Sequence, residues 1–350
     1  MRRPTVHDIA RVSGFSLATV DRVLNHRSGV RPATVEAVQK VVQDIGYVRD
    51  ISAANLASGR VYRIAFILPE GDSSFLHSLC TEVEQRARAG LSERLAITLE
   101  RVPPFDGAAL SEALRKHSAE TTNSVVIVGT DHPEISLEIE RLAGEGVPTL
   151  TLISDLPGSG RKHYIGIANT MAGRAAASLL GRFTAGESRA KIAVLAGSLR
   201  LRDHQDRLRG FEAVLSNEFP SSAVVAVLEG QDDEKRAAGL LGECLKQHPD
   251  LAGIYSLGAG TRGVVAALLS TSARPKVIAH ELTGTARTAL REGMFDAVIH
   301  QSTRREVDAC IRLSRSLIDG TPVDPLDAEI RTEIFLRDTI PPLIETESKL

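Results

Sequence analysis

The sequence predicts a two-part protein: a small all-α headpiece followed by an α/β body built from two doubly wound parallel-sheet subdomains. Three observations predict it. The first 49 residues carry helix-period apolar patterns without a strand pattern. From Arg63 onward, short β-rich runs alternate with helical stretches, the pattern of parallel sheets with helices on both faces. Finally, the 350 residues exceed one compact unit, since a domain holds roughly 150 residues.

In the headpiece, Thr5-Val6-His7-Asp8 has the form of a capping box, with Ile9, Ala10 and Val12 supplying an apolar face before Gly14 ends the helix. Ser16 can cap a second helix in which Val20, Val23 and Leu24 recur at helical spacing, while Leu17, Ala18, Asp21, Arg22 and Asn25 fall elsewhere. Pro32 suits the first turn of a third helix, with Val35, Val38, Val41, Val42 and Ile45 on its buried side and Gly46 closing it.

In the body, strands are predicted at 64–68, 124–128, 149–153, 191–195, 223–228, 253–257, 276–280 and 297–300. Helices are predicted between them, among others at 76–89, 172–182, 207–215 and 261–269. The number of strands argues for two sheets.

Hydrophobic residues make up 43% of the chain and charged residues 25%. No apolar run approaches the roughly 20 residues of a membrane helix, and Met1-Arg2-Arg3-Pro4 does not open a signal peptide, so a cytoplasmic protein without membrane contact is expected. Cys80, Cys244 and Cys310 are odd in number and far apart, which fits reduced, buried thiols better than disulfides or a zinc site. The net charge of -2 is uneven: residues 1–60 hold nine Lys or Arg against five Asp or Glu, and the rest hold 33 against 39. A basic module on a mildly acidic body is expected if the first part alone touches phosphate.

The run from Asp8 to Asn25, DIARVSGFSLATVDRVLN, followed by Gly46-Tyr47 and Ala53-Ala54-Asn55-Leu56-Ala57, resembles the DNA-binding headpiece of the LacI/GalR (lactose-repressor) family. The resemblance implies a helix-turn-helix whose second helix enters the major groove, with base contact from Leu17, Ala18 and Arg22. Arg22 can donate two hydrogen bonds to a guanine, whereas Leu17 and Ala18 offer apolar contact suited to a thymine methyl. Thr19, Asn25 and the arginines at 2, 3 and 31 are expected to hold phosphates. Asp21 departs from the family's commoner Ser. The stretch from Asp50 to Ser58 resembles the family's hinge, too short to be a stable helix alone, and Leu56 matches the residue that wedges into the minor groove; Asp50 and Ile51 stand where an Arg is frequent.

The body resembles the periplasmic sugar-binding fold that the family uses for its effector. The segments Ile278-Ala279-His280-Glu281-Leu282-Thr283 and Gly293 to Gln301 carry this most clearly, and the resemblance implies that Glu281 and Gln301 face the ligand. Arg207, ahead of Gly210-Phe211, matches a ligand arginine, Asp155 a ligand carboxylate and Phe75 an aromatic that packs on a sugar face. Carboxylate and guanidinium groups can satisfy the paired donors and acceptors of a sugar or polyol.

A second signal lies in the same region. Gly258, Gly260 and Gly263 form a G-x-G-x-x-G after a predicted strand, with Glu281 following at the end of the next one, which leaves open an NAD(H)-responsive alternative. Apart from that alternative no cofactor is implied. His280 and His300 flank the pocket residues, but no metal-ligand spacing or Ser-His-Asp set accompanies them, so neither a metal nor an enzyme is expected. Strand alternation predicts that His280 and Glu281 do not share a wall, nor His300 and Gln301.

Together these readings give a transcriptional repressor with a headpiece over 1–49, a hinge over 50–60 and an effector-binding domain over 61–345. Its N-subdomain is expected near 61–164 and 285–322, its C-subdomain near 165–281 and 327–345, with crossings near 164–168, 281–285 and 322–327. The eight residues after Pro342 hold no heptads, so a homodimer on double-stranded, pseudo-palindromic operator DNA is expected, without an added coiled coil.

Overall fold

Local chemistry sets the three headpiece helices, α1 (Val6–Ser13), α2 (Leu17–Leu24) and α3 (Pro32–Asp44). The Asp8 carboxylate reaches back to accept from the Thr5 N–H at 2.9 Å, closing the capping box, and Gly14 ends α1 at φ 72°. Pro32 occupies the first turn of α3. Gly46 ends that helix in a left-handed conformation, with the Tyr47 N–H reaching back to the Val42 carbonyl at 3.0 Å. Ile9, Val20, Val23 and Val38 make the buried centre. Val12, expected on the apolar face of α1, is 52% exposed, because that small centre is filled and α1 buries Ile9 alone.

The computed structural model describes residues 4–24, 29–47, 61–71, 73–90, 93–258 and 260–342, and the chain divides into two units, Met1–Val61 and Tyr62–Leu350. The hinge, with Leu56, lies outside the described residues, as do Asn25, Arg2 and Arg3.

The second unit holds two sheets. The first comprises β1 (Tyr62–Pro69), β2 (Leu95–Val102), β3 (Ser124–Ile127), β4 (Thr149–Leu152) and β5 (His163–Ile165), all parallel, in the order β2-β1-β3-β4-β5. Between them run α4 (Ser74–Gly90), α5 (Gly107–Arg115) and α6 (Pro133–Gly144). The chain then crosses to α7 (Asn169–Phe183), β6 (Ala190–Ala196), α8 (Arg202–Glu218), β7 (Ser222–Glu229), α9 (Glu234–Gln247), β8 (Leu251–Ser256), α10 (Thr261–Leu269), β9 (Lys276–His280), α11 (Gly284–Arg291) and β10 (Ala297–His300). These strands and β11 (Glu333–Phe335) form the second sheet, in the order β11-β10-β9-β8-β6-β7. Only β11 is antiparallel among the described pairings. Central strands such as β3 and β4 are buried at every residue, as expected when helices cover both faces.

Both sheets reverse their winding after their first strand, so the carboxyl ends of β1 and β3 in one, and of β6 and β8 in the other, open crevices suited to a ligand. Strands β2, β5 and β11 are absent from the predicted set: β2 is a half-exposed edge whose LAITLERV mixes charge with aliphatics, and the other two span three residues each.

The second crossing lies at 301–302, not 281–285. Strand β10 pairs in parallel with β9, Ala297 opposite Ile278 and Ile299 opposite His280, so residues 285–300 belong with the second sheet. Helix α12 (Thr303–Asp319) then packs Val307, Cys310 and Ile311 into the core shared with the first sheet. All three cysteines are buried and unbridged. No helix among the described residues is long and apolar enough to cross a membrane.

Candidate functional site

On α2, residues at positions i, i+1, i+4 and i+5 share one face, which places Leu17, Ala18, Asp21 and Arg22 together on the exposed side while Val20 and Val23 turn inward. The Ser16 hydroxyl accepts the Thr19 N–H at 3.2 Å and lies 2.9 Å from the Thr19 hydroxyl, fixing the start of the helix. Thr19 therefore sits at the capped end, beside the exposed stripe.

In the body, a cavity of about 100 Å³ opens between the strand ends of the two sheets. Of the five body residues singled out in the sequence, Phe75, Arg207, Glu281 and Gln301 line it. Asp155 does not. Its carboxylate is held by Arg161 through two contacts of 2.6 Å and by the Thr151 hydroxyl at 2.8 Å, so it closes a turn beside the cleft instead of facing a ligand.

Arg207 is placed by helix packing. A side chain on Gly173 of α7 would overlap the Arg207 carbonyl, and one on Gly210 of α8 would overlap the Thr170 carbonyl, so the two helices meet backbone to backbone. Arg207 Nε donates to Asn169 Oδ1 at 2.8 Å and Nη1 to the Leu257 carbonyl at 2.8 Å. Asn169 Nδ2 in turn donates to the Tyr164 hydroxyl at 2.9 Å, which lies 2.9 Å from the Ile153 carbonyl of the first sheet. Burial pushes the Tyr164 pKa up, keeping that hydroxyl protonated. The remaining nitrogen, Nη2, is buried without a partner.

Glu281 and Gln301 bind each other. Gln301 Nε2 donates to Glu281 Oε1 at 2.9 Å, and His300 Nδ1 lies 3.2 Å from Oε2, leaving Gln301 Oε1 unpartnered. His280 and Glu281 both line the cavity, against the alternation argument, because Glu281 adopts φ 67° and swings out of the strand geometry. Gln301 lines the cavity as expected. Burial holds His280 well below the usual imidazole range, so it is neutral, its Nε2 2.9 Å from the Tyr255 hydroxyl.

Several cavity residues escape the sequence reading. Asp203 and His204 precede Arg207 by one helical turn and share its face, a spacing that points to them once Arg207 is placed. Asp203 Oδ1 and Asp232 Oδ1 are buried without partners. Burial, reinforced by Asp203, pushes the Asp232 carboxyl up to about 6. Backbone strain marks the rest: among the described non-glycine residues, six have positive φ, and four of them, Phe105, Ile153, Asp232 and Glu281, line the cavity. Each costs about 1–3 kcal/mol, and such strain clusters at binding sites. At Ile153 it forms a γ-turn, the Ser154 N–H donating to the Leu152 carbonyl at 2.7 Å.

The glycine motif has another use. A side chain on Gly258 would overlap His204 Nε2, and one on Gly263 would come within 2.7 Å of Ala237 Cβ and the Glu234 carbonyl, so these glycines seat α10 against α9 and against the cavity histidine. Glu281 is taken up by Gln301. The NAD(H)-responsive alternative therefore finds no support. Among the described residues no group of His, Cys, Asp and Glu is arranged to hold a metal ion.

Comparison with known proteins agrees with both units. Residues 5–50 match the model "Bacterial regulatory proteins, lacI family", and residues 64–322 match "Periplasmic binding protein domain". The chain belongs to the lacI family. Among its lacI-family relatives, the ribitol operon repressor of Klebsiella aerogenes is 29% identical over 45% of this chain and 57% of its own length. The maltose regulon regulatory protein MalI of Escherichia coli is 26% identical over 72% of this chain and 71% of its own. The chain thus spans little more than half the length of the first of these relatives. The glucose-galactose binding protein GanP of Geobacillus stearothermophilus has the same fold, with a TM-score of 0.71 at 22% identity over 81% of this chain and 99% of its own. In this lacI-family chain, the exposed stripe belongs to the family-matched headpiece and the cavity to the binding-protein domain.

Proposed function

We propose that the chain is a sequence-specific transcriptional repressor that binds a pseudo-palindromic operator as a homodimer and whose DNA affinity is set by a sugar or polyol held in the cleft. The observation that carries this reading is the stripe of Leu17, Ala18 and Arg22, exposed on α2 of a lacI-family headpiece. Arg22 reads a guanine through its fork, Leu17 and Ala18 pack on base methyl groups, and Thr19 with Asn25 holds phosphates. Leu56 wedges into the minor groove. In the cleft, Arg207 Nη2 supplies a donor, and Asp203, Asp232 and Gln301 supply acceptors that a polyol satisfies. The names of the ribitol and maltose relatives support a carbohydrate. Ligand contact with both lobes alters their relative angle and couples the cleft to DNA through one free energy. The protein acts as a binder and switch and not as an enzyme.

Site selection from random duplexes tests this directly. The wild type is expected to return two half-sites, each with one strongly specified guanine. Arg22→Ala is expected to relax that position and weaken binding by about 1–3 kcal/mol. An unchanged base preference in the variant contradicts the assignment.

A further inference from the structure

The two walls of the cavity differ in kind. The wall from the first sheet presents Ile67, Phe75, Val102, Pro104, Phe105 and Ile153. Its charged and polar groups are largely spent on the protein itself: Asp106 caps α5 by accepting the Ala109 N–H at 2.9 Å, and the Ser154 hydroxyl accepts the Arg202 N–H at 3.2 Å. Asp155 is held outside the cavity by Arg161. Among the described residues this wall is left with the hydroxyls of Ser73, Ser74 and Thr130, the second Asp106 oxygen at the exposed rim and the Ser154 O–H, few beside its hydrocarbon.

The wall from the second sheet presents Asp203, His204, Arg207, Asp232, Glu281 and Gln301. Asp203, Arg207 and Gln301 are 3%, 2% and 1% exposed, and each keeps a buried polar atom without a protein partner. Three acceptor oxygens, counting Asp232 Oδ1, stand against the Arg207 nitrogen and His280 Nδ1, which donates or accepts according to its tautomer. This wall asks for a head rich in hydroxyl donors.

We infer that the ligand is two-faced: a glycoside whose sugar meets the second wall and whose apolar aglycone, an aryl or alkyl group, meets the first. This rests on the carbohydrate reading of the cleft and narrows it. A free sugar carries hydroxyls around its whole rim, so those turned to the first wall lose water without gaining a partner, each weakening binding by about tenfold. An aglycone replaces them with surface that the wall matches. Phe105 shows that this wall is built for the purpose. It follows Pro103-Pro104, stands at φ 61°, where a bulky side chain is strained, and still lines the cavity half-buried.

The test is calorimetric titration of the full chain with D-glucose, D-galactose, D-xylose, L-arabinose and D-ribose, each beside its phenyl glycoside. The expected result is that at least one phenyl glycoside binds ten times or more tighter than its parent sugar. Phe105→Asn, which removes the ring while Asn tolerates the left-handed backbone, is expected to reduce that ratio severalfold. A parent sugar that binds as tightly as its glycoside overturns the two-faced ligand and leaves the carbohydrate reading standing, and an unchanged ratio in Phe105→Asn does the same. Failure of every sugar and glycoside to bind overturns both.

Discussion

The two lobes share a winding order and differ in what they bring to the cleft. In the first, the carboxylate at the end of β4, Asp155, is locked to Arg161, and the strand ends show the ligand mostly hydrocarbon. In the second, the strand ends and the first turns of α8 show it buried polar atoms whose remaining hydrogen bonds are unmade. Buried polar atoms that the protein itself leaves unpaired favour the ligand whose groups pair with them, so on the proposed carbohydrate reading the second lobe sets the identity of the sugar. On the same reading the first lobe sets what that sugar carries. A chain with one fold repeated can thus divide the work of recognition between its copies.

The sharpest break in that contrast is at Arg207. Arg207→Ala removes the donor fork of the second wall and leaves Asn169 Oδ1 and the Leu257 carbonyl unpaired; ligand affinity is expected to fall by about 2–5 kcal/mol, read by calorimetry with whichever glycoside binds the wild type. Next in size is the support of that wall. Gly173→Val drives a side chain into the Arg207 carbonyl and is expected to cost about 3 kcal/mol, seen as a lower urea midpoint. Smaller is a titration behind it. Burial, reinforced by Glu281, pushes the Glu306 carboxyl well above the usual range, and both of its oxygens lack hydrogen-bond partners. The folded chain holds a proton that the unfolded chain releases as pH rises, so this group lowers stability progressively above the ordinary carboxylate range. Glu306→Gln does not titrate and is expected to gain on the wild type by about 1.4 kcal/mol per pH unit, up to the folded pKa, in urea melts at pH 5, 6 and 7. Parallel slopes would show that Glu306 is ionised in the fold. Smallest is Asp155→Asn: the loss of the Arg161 pair costs about 1 kcal/mol or less of stability, and ligand affinity is expected to stay within twofold.

Periodicity reads elements well when their faces are uniform. The strand at 276–280 and the helix at 261–269 lie where the sequence puts them, because each is bounded by glycine or proline and apolar on its buried side. The half-exposed edge β2 lacks that signal. Periodicity also does not say which sheet a strand joins, and β10 was therefore legible as a strand while its place beside β9 was not. The cleft divides in the same way. Arg207 and Gln301 follow from motif position, and Asp203 with His204 from helical spacing. Phe105, Ile153 and Asp232 sit on positive-φ turns, where no alternation rule holds, and Glu281 defeats the rule for the same reason. Asp155 has the right residue type and the wrong neighbour, since the sequence does not show that Arg161 folds back on it.

The central claim is that one chain couples this cleft to DNA. Fluorescence anisotropy of the selected operator duplex, titrated with protein in the absence and presence of the bound glycoside, tests it most directly. The account predicts that the ligand shifts the DNA midpoint for the wild type and leaves it unmoved for Arg207→Ala, which still binds the duplex. A wild-type midpoint that does not move at saturating ligand contradicts it.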